Sequence, residues 1–325
     1  MGEGDWIGER LSPFGQMVTS VVPAGFEAYA RVLHPAQEPR RDGRRLVRWA
    51  EVAAWSGMPL HRDAQFHSIA LPPARPESEA PWRSQGPEEG NLYLPDAEAI
   101  AGLAREWTTT PHRCWFCVWN GYGWQGTQFA SPGELGLTLP DPVPAAIRNG
   151  PLVRLPHRDY LLYVGPAEAV TAVAPLSGSD QTPNLWWPAD RAWCVATEID
   201  LPWTYVGGPG GLINSILADE RIEAVPAEPD DSLTHVEQWV VNWVTAATSE
   251  LLANGETVIS TSGGTVKAWL DRPTRLRDGR LRTASLAGNR TSGTGWVRLS
   301  RRGPAELADE ISSYLTRNVT SLVDG

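Results

Sequence analysis

Hydrophobic positions in the first two thirds of the chain mostly follow the two-residue period of β-strands. Residues 26–32 place apolar side chains at every second position, as a half-buried strand does. The segment CWFCVWNGYG (114–123) is apolar on both faces, which is typical of a central strand. RLPHRDYLLYVGP (154–166) predicts another strand, whereas RWAEVAAWSG (48–57) and residues 96–107 predict short helices. The pattern therefore predicts a mixed α/β unit around a buried sheet.

The last third of the chain has the helical period at its two ends. Apolar residues recur three or four positions apart over 236–251, and again after Pro304. Three or four alternating segments between them predict strands. The polar stretch AEPDDS (227–232) predicts a linker. We therefore expect an α+β protein with two domains, a Trp-rich unit over 1–228 and an α-β-β-β-α module over 232–325.

Residues 184–208, NLWWPADRAWCVATEIDLPWTYVGG, contain four of the sixteen tryptophans. Strand alternation places Cys194, Ala196, Glu198 and Asp200 on one face, which predicts an interior strand with an acidic end. Two neighbouring carboxylates can share a cation or a proton, and crowding them raises one pKa. The segment is therefore the best candidate site in the sequence.

The same stretch offers partners for these two acids. An Asp-Arg pair precedes them, and three tryptophans in Pro-flanked, loop-like sequence have rings suited to lining a pocket. The alternative is that most tryptophans belong to the core and that the acids simply reach solvent. The candidate ligand or partner site consists of Trp186, Trp187, Asp190, Arg191, Glu198, Asp200 and Trp203.

No pattern in the sequence indicates catalysis, a metal or a cofactor. Cys114 and Cys117 form a C-x-x-C pair, but on a strand these positions point to opposite faces, so ordinary buried cysteines are expected. The six histidines lack the spacing of metal ligands. The turn Gly207–Gly211 precedes a helix, where phosphate can bind, but it matches no phosphate-binding motif and favours a plain turn.

Charge and composition limit the possible partners. The chain has a net charge of −10, yet residues 267–302 carry nine Arg and one Lys against two Asp. This basic stretch suggests nucleic-acid binding or docking of the acidic N-terminal domain, although alternation of Arg with Leu favours the solvated side of a hairpin. Three cysteines, no signal peptide and no long apolar run favour a cytoplasmic protein without a membrane partner.

The strings GFEAYARVLHP, CWFCVWNGYG, LPHRDYLLYVGP and LWWPADRAWCVATEIDLPWTYVGG carry a resemblance. Through them the chain resembles, over 18–227, a Trp-rich group of actinobacterial cytoplasmic proteins of uncharacterised activity. That resemblance implies no catalytic residue. In its element order, the C-terminal unit is similar to YbjN-like and type III secretion chaperone-like domains, with ASLAGN (284–289) as the nearest local match.

Two functions are therefore open. The first is a non-enzymatic, immunity- or chaperone-like protein that binds a protein partner in the cytoplasm. The second is an enzyme or binding protein for a small molecule, with its pocket around residues 186–208. Nucleic-acid binding through 267–302 is a weaker third hypothesis, and it predicts steep salt dependence.

Overall fold

The computed structural model divides the chain into two compact units, Met1–Pro35 with Pro87–Thr234, and Ala36–Gly86 with His235–Gly325. The sequence-based boundary had assigned residues 36–86 to the first domain. The structure describes residues 2–15, 17–40, 43–70, 80–82, 86–122, 143–177, 181–235, 238–261, 264–271, 279–287, 290–299 and 304–317.

Both strands and helices are present, as expected of an α+β protein. In chain order the strands are β1 (Ala28–Leu33), β2 (Ala36–Arg40), β3 (Gly43–Val47), β4 (Cys114–Trp119), β5 (Leu152–Leu155), β6 (Arg158–Gly165), β7 (Leu185–Pro188), β8 (Cys194–Ala196), β9 (Trp203–Gly208), β10 (Ala224–Ala227), β11 (Glu256–Thr261), β12 (Gly264–Asp271), β13 (Gly279–Ala287) and β14 (Arg290–Leu299).

The α-helices are mostly short, and within the described residues three 3₁₀ segments accompany them. The α-helices are α1 (Asp5–Gly8), α2 (Trp49–Ser56), α3 (Phe66–Ala70), α4 (Leu94–Ala104), α5 (Ala145–Arg148), α6 (Gly210–Ala218), α7 (Gln238–Asn254) and α8 (Pro304–Arg317), and the 3₁₀ segments are Val18–Ser20, Arg105–Trp107 and Ala167–Ser177. Within the described residues no helix has the length and apolar character needed to cross a membrane.

The first unit is built on an eight-stranded sheet in the order β10-β1-β9-β8-β7-β4-β6-β5, in which every pair is antiparallel. One face packs on α4, α6 and the 3₁₀ segment after β6, around the buried rings of Phe116 and Trp186. Strand β4 lies between β7 and β6, so the prediction of a central strand is confirmed. Burial on both sides explains why its sequence is apolar throughout.

The N-terminal segment packs against the opposite face of this sheet. The Trp6 ring of α1 meets the Trp187 ring of β7 edge-on at 6.2 Å. Gly207 of β9 lies under Phe26, so closely that a Cβ there would fall 2.5 Å from the phenyl ring. The central strands β7, β8 and β9 are therefore buried throughout.

The second unit contains the β2–β3 hairpin, α2, α3 and a C-terminal module. In the module α7 and α8 pack on the four-stranded meander β11-β12-β13-β14, with Leu251, Leu281 and Ile311 in the core. The predicted helix–strands–helix order is confirmed, with four strands. Most side chains of the basic stretch 267–302 lie outside the described residues.

Two local predictions need correction. The segment 154–166 is a hairpin of β5 and β6 rather than one strand, because Pro156 and His157 form its turn and His157 has a left-handed φ of 66°. Helix α4 begins at Leu94, two residues before the predicted start at 96, with Tyr93 as its N-cap residue.

Candidate functional site

A three-member ion cluster lies beside the β5–β6 hairpin in the first unit. The Arg158 guanidinium donates to Glu198 Oε1 from Nε at 3.0 Å and from Nη2 at 2.6 Å. Its Nη2 also donates to Asp200 Oδ2 at 2.9 Å. The sequence predicts that Glu198 and Asp200 lie close enough to share a cation. In the structure they share the guanidinium of Arg158.

The local backbone explains how the cluster is assembled. Arg158 is the first residue of β6, directly after the left-handed His157, whose carbonyl oxygen accepts a bond from Arg158 Nη1 at 3.2 Å. Strand β8 ends at Ala196, and the chain then turns, with the Leu201 amide donating to the Glu198 carbonyl oxygen at 3.1 Å. The two acids therefore meet Arg158 from a turn, not from one strand face as the sequence suggested.

Gly90 supports this turn from behind. It has a left-handed φ of 69°, and a Cβ there would lie 2.6 Å from the carbonyl oxygen of Ile199, between the two acids. Its amide donates to the Leu201 carbonyl oxygen at 3.1 Å, and its own carbonyl oxygen accepts from Tyr122 and Asn184. The turn is thus held by a buried hydrogen-bond network in a way that only glycine allows.

We predict that Gly90→Ala lowers the free energy of unfolding by about 2 kcal/mol, because it combines a strained φ with a backbone clash. Urea denaturation followed by circular dichroism measures this. Gly102→Ala is the matched control: Gly102 lies inside α4 with no atom within 4 Å of its added Cβ, so it should stabilise the chain by about 0.5–1 kcal/mol. Equal effects of the two variants would contradict the proposed role of Gly90.

The cluster forms one wall of a small cleft open to solvent. The Phe14 ring, 42% exposed, lies 5.3 Å from the guanidinium carbon of Arg158. The cleft encloses about 30 Å³, which is room for about two water-sized groups. Its lining residues are Leu11, Ser12, Phe14, Ser20, Val21, Leu155, Pro156, Arg158, Tyr160 and Glu198.

Burial decides the protonation behaviour of this cleft. It raises the pKa of Glu198, and the hydrogen bond and charge of Arg158 oppose that rise without cancelling it. Burial, and then the charge of Glu198, raise the pKa of Tyr160 well above its ordinary value. Asp200 differs from Glu198 in environment, since its side chain is 73% exposed and that of Glu198 only 13%.

The three tryptophans predicted to line a pocket lie elsewhere. Trp186 and Trp187 belong to β7, and Trp203 begins β9; each is at most 2% exposed. The prediction of loop-like, pocket-lining rings is wrong, because strand pairing buries them within the sheet. The prediction of an interior strand is confirmed for β8, which lies between β9 and β7 with Cys194 and Ala196 both buried.

Asp190 and Arg191 are placed apart from the cleft's lining and have structural partners. Asp190 accepts bonds from the Thr108 hydroxyl and from the Thr109 amide and hydroxyl, each at 2.7 Å. Partial burial raises its pKa, but these bonds outweigh that effect and leave the pKa below its usual value. Arg191, at a left-handed φ of 58°, has its guanidinium carbon 5.4 Å from the Trp6 ring centroid. Of the seven predicted site residues, the structure brings only Glu198 and Asp200 together.

Sequence reasoning missed Arg158, Tyr160 and Phe14. One signal is present: Arg158 follows Pro156 near the start of the predicted strand 154–166, where a side chain can lie at the rim of the sheet. Nothing in the sequence indicated that a residue forty positions earlier would reach Glu198. The remaining partner, Phe14, comes from a segment without regular secondary structure.

The cysteine thiols and the glycine-rich turn, which the sequence also offers as candidate groups, are buried or already hydrogen-bonded. Cys114, Cys117 and Cys194 are free and buried, as predicted for the C-x-x-C pair. Burial raises the pKa of all three thiols, that of Cys114 to about 12. At the glycine-rich turn, the Gly210 amide at the start of α6 already donates to the Glu27 carboxylate at 3.0 Å.

These thiols should not react in the folded protein. A disulfide reagent that requires a thiolate is expected to label none of the three at neutral pH, and all of them once denaturant is added. Spectrophotometric counting of released thiolate measures this. Stoichiometric labelling of even one thiol in the native state would show that its burial is overestimated.

Comparisons with protein-family models, curated proteins and solved structures found no significant match to this chain.

Proposed function

We propose that this chain is a non-enzymatic binding protein that engages a protein partner through the cleft at Arg158, in an immunity- or chaperone-like role. The observation that carries the proposal is a preformed cleft in which the exposed Phe14 ring lies against a neutralised guanidinium. Aromatic residues and arginine are enriched among the residues at the centre of protein–protein interfaces.

The size of the cleft favours a protein partner over a free metabolite. About 30 Å³ accepts the tip of one side chain, whereas ligand pockets surround most of a small molecule. A partner would fill the cleft with one group and cover Phe14 and Asp200 around it. The alternative of a small-molecule ligand around 186–208 has weaker support, because the tryptophans meant to hold it are core residues.

The chemistry of the described residues supports binding rather than catalysis. The thiols are protonated and buried, and His34 is sealed in the interior with both ring nitrogens bonded. In the cleft, Glu198 is held by two bonds from a permanent cation, which suits a rigid recognition surface. We also propose the cytoplasm as its compartment, because the three cysteines are free thiols.

Quantitative affinity capture from a lysate of the source organism tests this function. Immobilised wild type, Phe14→Ala and Val164→Ala are compared by mass spectrometry; Val164 is the matched control, since it is an exposed apolar residue of β6 outside the cleft lining. The amount of a genuine partner recovered should fall at least tenfold with Phe14→Ala, as expected for a central aromatic contact. It should stay unchanged with Val164→Ala. If the wild type and both variants recover every captured protein in equal amounts, the cleft is not the binding site.

A further inference from the structure

The cleft at Arg158 has more hydrogen-bond acceptors than donors. One cation faces two carboxylates, which leaves an excess of one negative charge when both are ionised. Both bonds from Arg158 to Glu198 end on Oε1, and its bond to Asp200 ends on Oδ2. Arg158 therefore uses one oxygen of each carboxylate, and the Ile199 backbone amide also donates to Glu198. A ligand that donates hydrogen bonds and carries positive charge would complement this arrangement.

Tyr160 provides an independent observation. It lines the cleft and is only 5% exposed, yet among the described residues its hydroxyl makes no hydrogen bond. This oxygen is not sealed in the interior, so it can be reached from the cleft. The other hydroxyls of the wall are satisfied, Ser12 by Thr19 and Ser20 by the carbonyl oxygen of Met17. The Tyr160 oxygen is thus an acceptor that a bound group can use.

Phe14 adds a third element suited to a cation. The negative face of an aromatic ring attracts ammonium and guanidinium groups within about 6 Å of its centroid. The Arg158 guanidinium lies 5.3 Å and the His157 ring 5.1 Å from the Phe14 ring centroid, and Phe14 is still 42% exposed. An incoming cation can therefore reach the ring and the carboxylates together.

Resting on the function proposed above, we propose that the cleft binds the ε-ammonium group of a lysine side chain of the protein partner. An ammonium has three donors and no acceptor, so inside the cleft it would donate to Glu198 and Tyr160, with the exposed Asp200 beside Arg158 as a third acceptor. The small volume favours this compact group over the larger planar fork of a guanidinium. Arginine and apolar occupants become outcomes of the test.

The probe is n-butylammonium, which reproduces a lysine side chain without its backbone. Binding to the full chain is followed through the Arg158 Nε–H resonance in nitrogen-15 NMR spectra, with n-butanol and n-butylguanidinium as comparison compounds. We expect saturable binding of butylammonium, weakened about tenfold by Tyr160→Phe, since a hydrogen bond to a charged group is lost. Asp200→Asn should weaken it about threefold, because this carboxylate is largely exposed.

Asp159→Asn is the matched control, since it removes the same charge from an exposed side chain outside the ion cluster of Arg158, Glu198 and Asp200. It should leave the affinity unchanged. The proposal is overturned if Asp159→Asn weakens binding as much as Asp200→Asn, if butanol binds as tightly, or if butylguanidinium binds more tightly. Thermal denaturation of each variant verifies folding before affinities are compared.

The two proposals fail in different ways. If capture of a partner depends on Phe14 but butylammonium does not bind, the lysine inference fails and the partner-binding function stands. If butylammonium binds as expected but no captured protein depends on Phe14, the partner-binding function fails, and with it the assignment of the cation to a partner.

Discussion

Replacing Arg158 with methionine should lower the free energy of unfolding by about 3 kcal/mol at neutral pH. The substitution keeps an unbranched apolar stem but leaves the mostly buried Glu198 carboxylate without its cation, and removing one member of a buried pair is costly. Urea denaturation measures the loss. The pKa of Glu198, already raised by burial, should rise further once Arg158 no longer opposes that effect.

The pH dependence of this variant follows from the sign of that shift. A carboxyl group whose folded-state pKa lies above its unfolded value favours folding when it is protonated, and this contribution is lost as pH rises through the folded-state pKa. The loss of unfolding free energy caused by Arg158→Met should therefore become smaller as the pH is lowered. In Arg158→Met combined with Glu198→Gln, much of the stability at neutral pH should return. A deficit that persists unchanged in both cases would show that Arg158 contributes by packing alone.

Acidification should destabilise the first unit through His34. This residue follows β1 and is 1% exposed, with Nδ1 bonded to the Glu88 carbonyl oxygen at 2.7 Å and Nε2 to the Thr204 hydroxyl at 2.9 Å. Burial lowers its pKa to about 4, although the bond to Glu88 favours the protonated form. An unfolded histidine has a pKa near 6.5. Between about pH 6.5 and 4 the unfolded chain therefore binds a proton at His34 that the folded chain does not bind.

The contribution of His34 is complete above about pH 6.5 and is lost as pH falls toward 4. The loss amounts to about 3 kcal/mol over that interval. Denaturant titrations at several pH values should show this fall in wild type and its absence in His34→Gln. His112→Gln, at an exposed turn, should follow the wild-type curve. If His34→Gln shows the same fall between pH 6.5 and 4, another group is responsible.

The elements that are marked by local sequence signals could be predicted from the sequence. Gly57, with a φ of 75°, ends α2 where the pattern placed its end, and Gly255 ends α7 in the same left-handed conformation. The apolar run of β4 indicated a central strand because only a strand covered on both faces requires such a sequence. Hydrophobic period and helix-ending glycines are local signals, and they were sufficient for these elements.

The candidate site could be predicted only in part, because its contacts are non-local. The proximity of Glu198 and Asp200 followed from their spacing. Their cation did not, since Arg158 reaches them through the pairing of strands that are distant in sequence. The tryptophans misled for a related reason: flanking prolines suggested loops at Trp186 and Trp187, whereas four antiparallel pairings with β4 place this segment inside the sheet.

The central claim is that the cleft at Arg158 receives a protein partner. The most direct measurement is photo-cross-linking in the source organism, with a benzophenone amino acid replacing Phe14 or, in a separate strain, Val164. A discrete adduct should form from position 14 and not from position 164, decrease when Asp200→Asn is added, and persist with Asp159→Asn. Identical adducts from both positions, or none from position 14, would contradict the account.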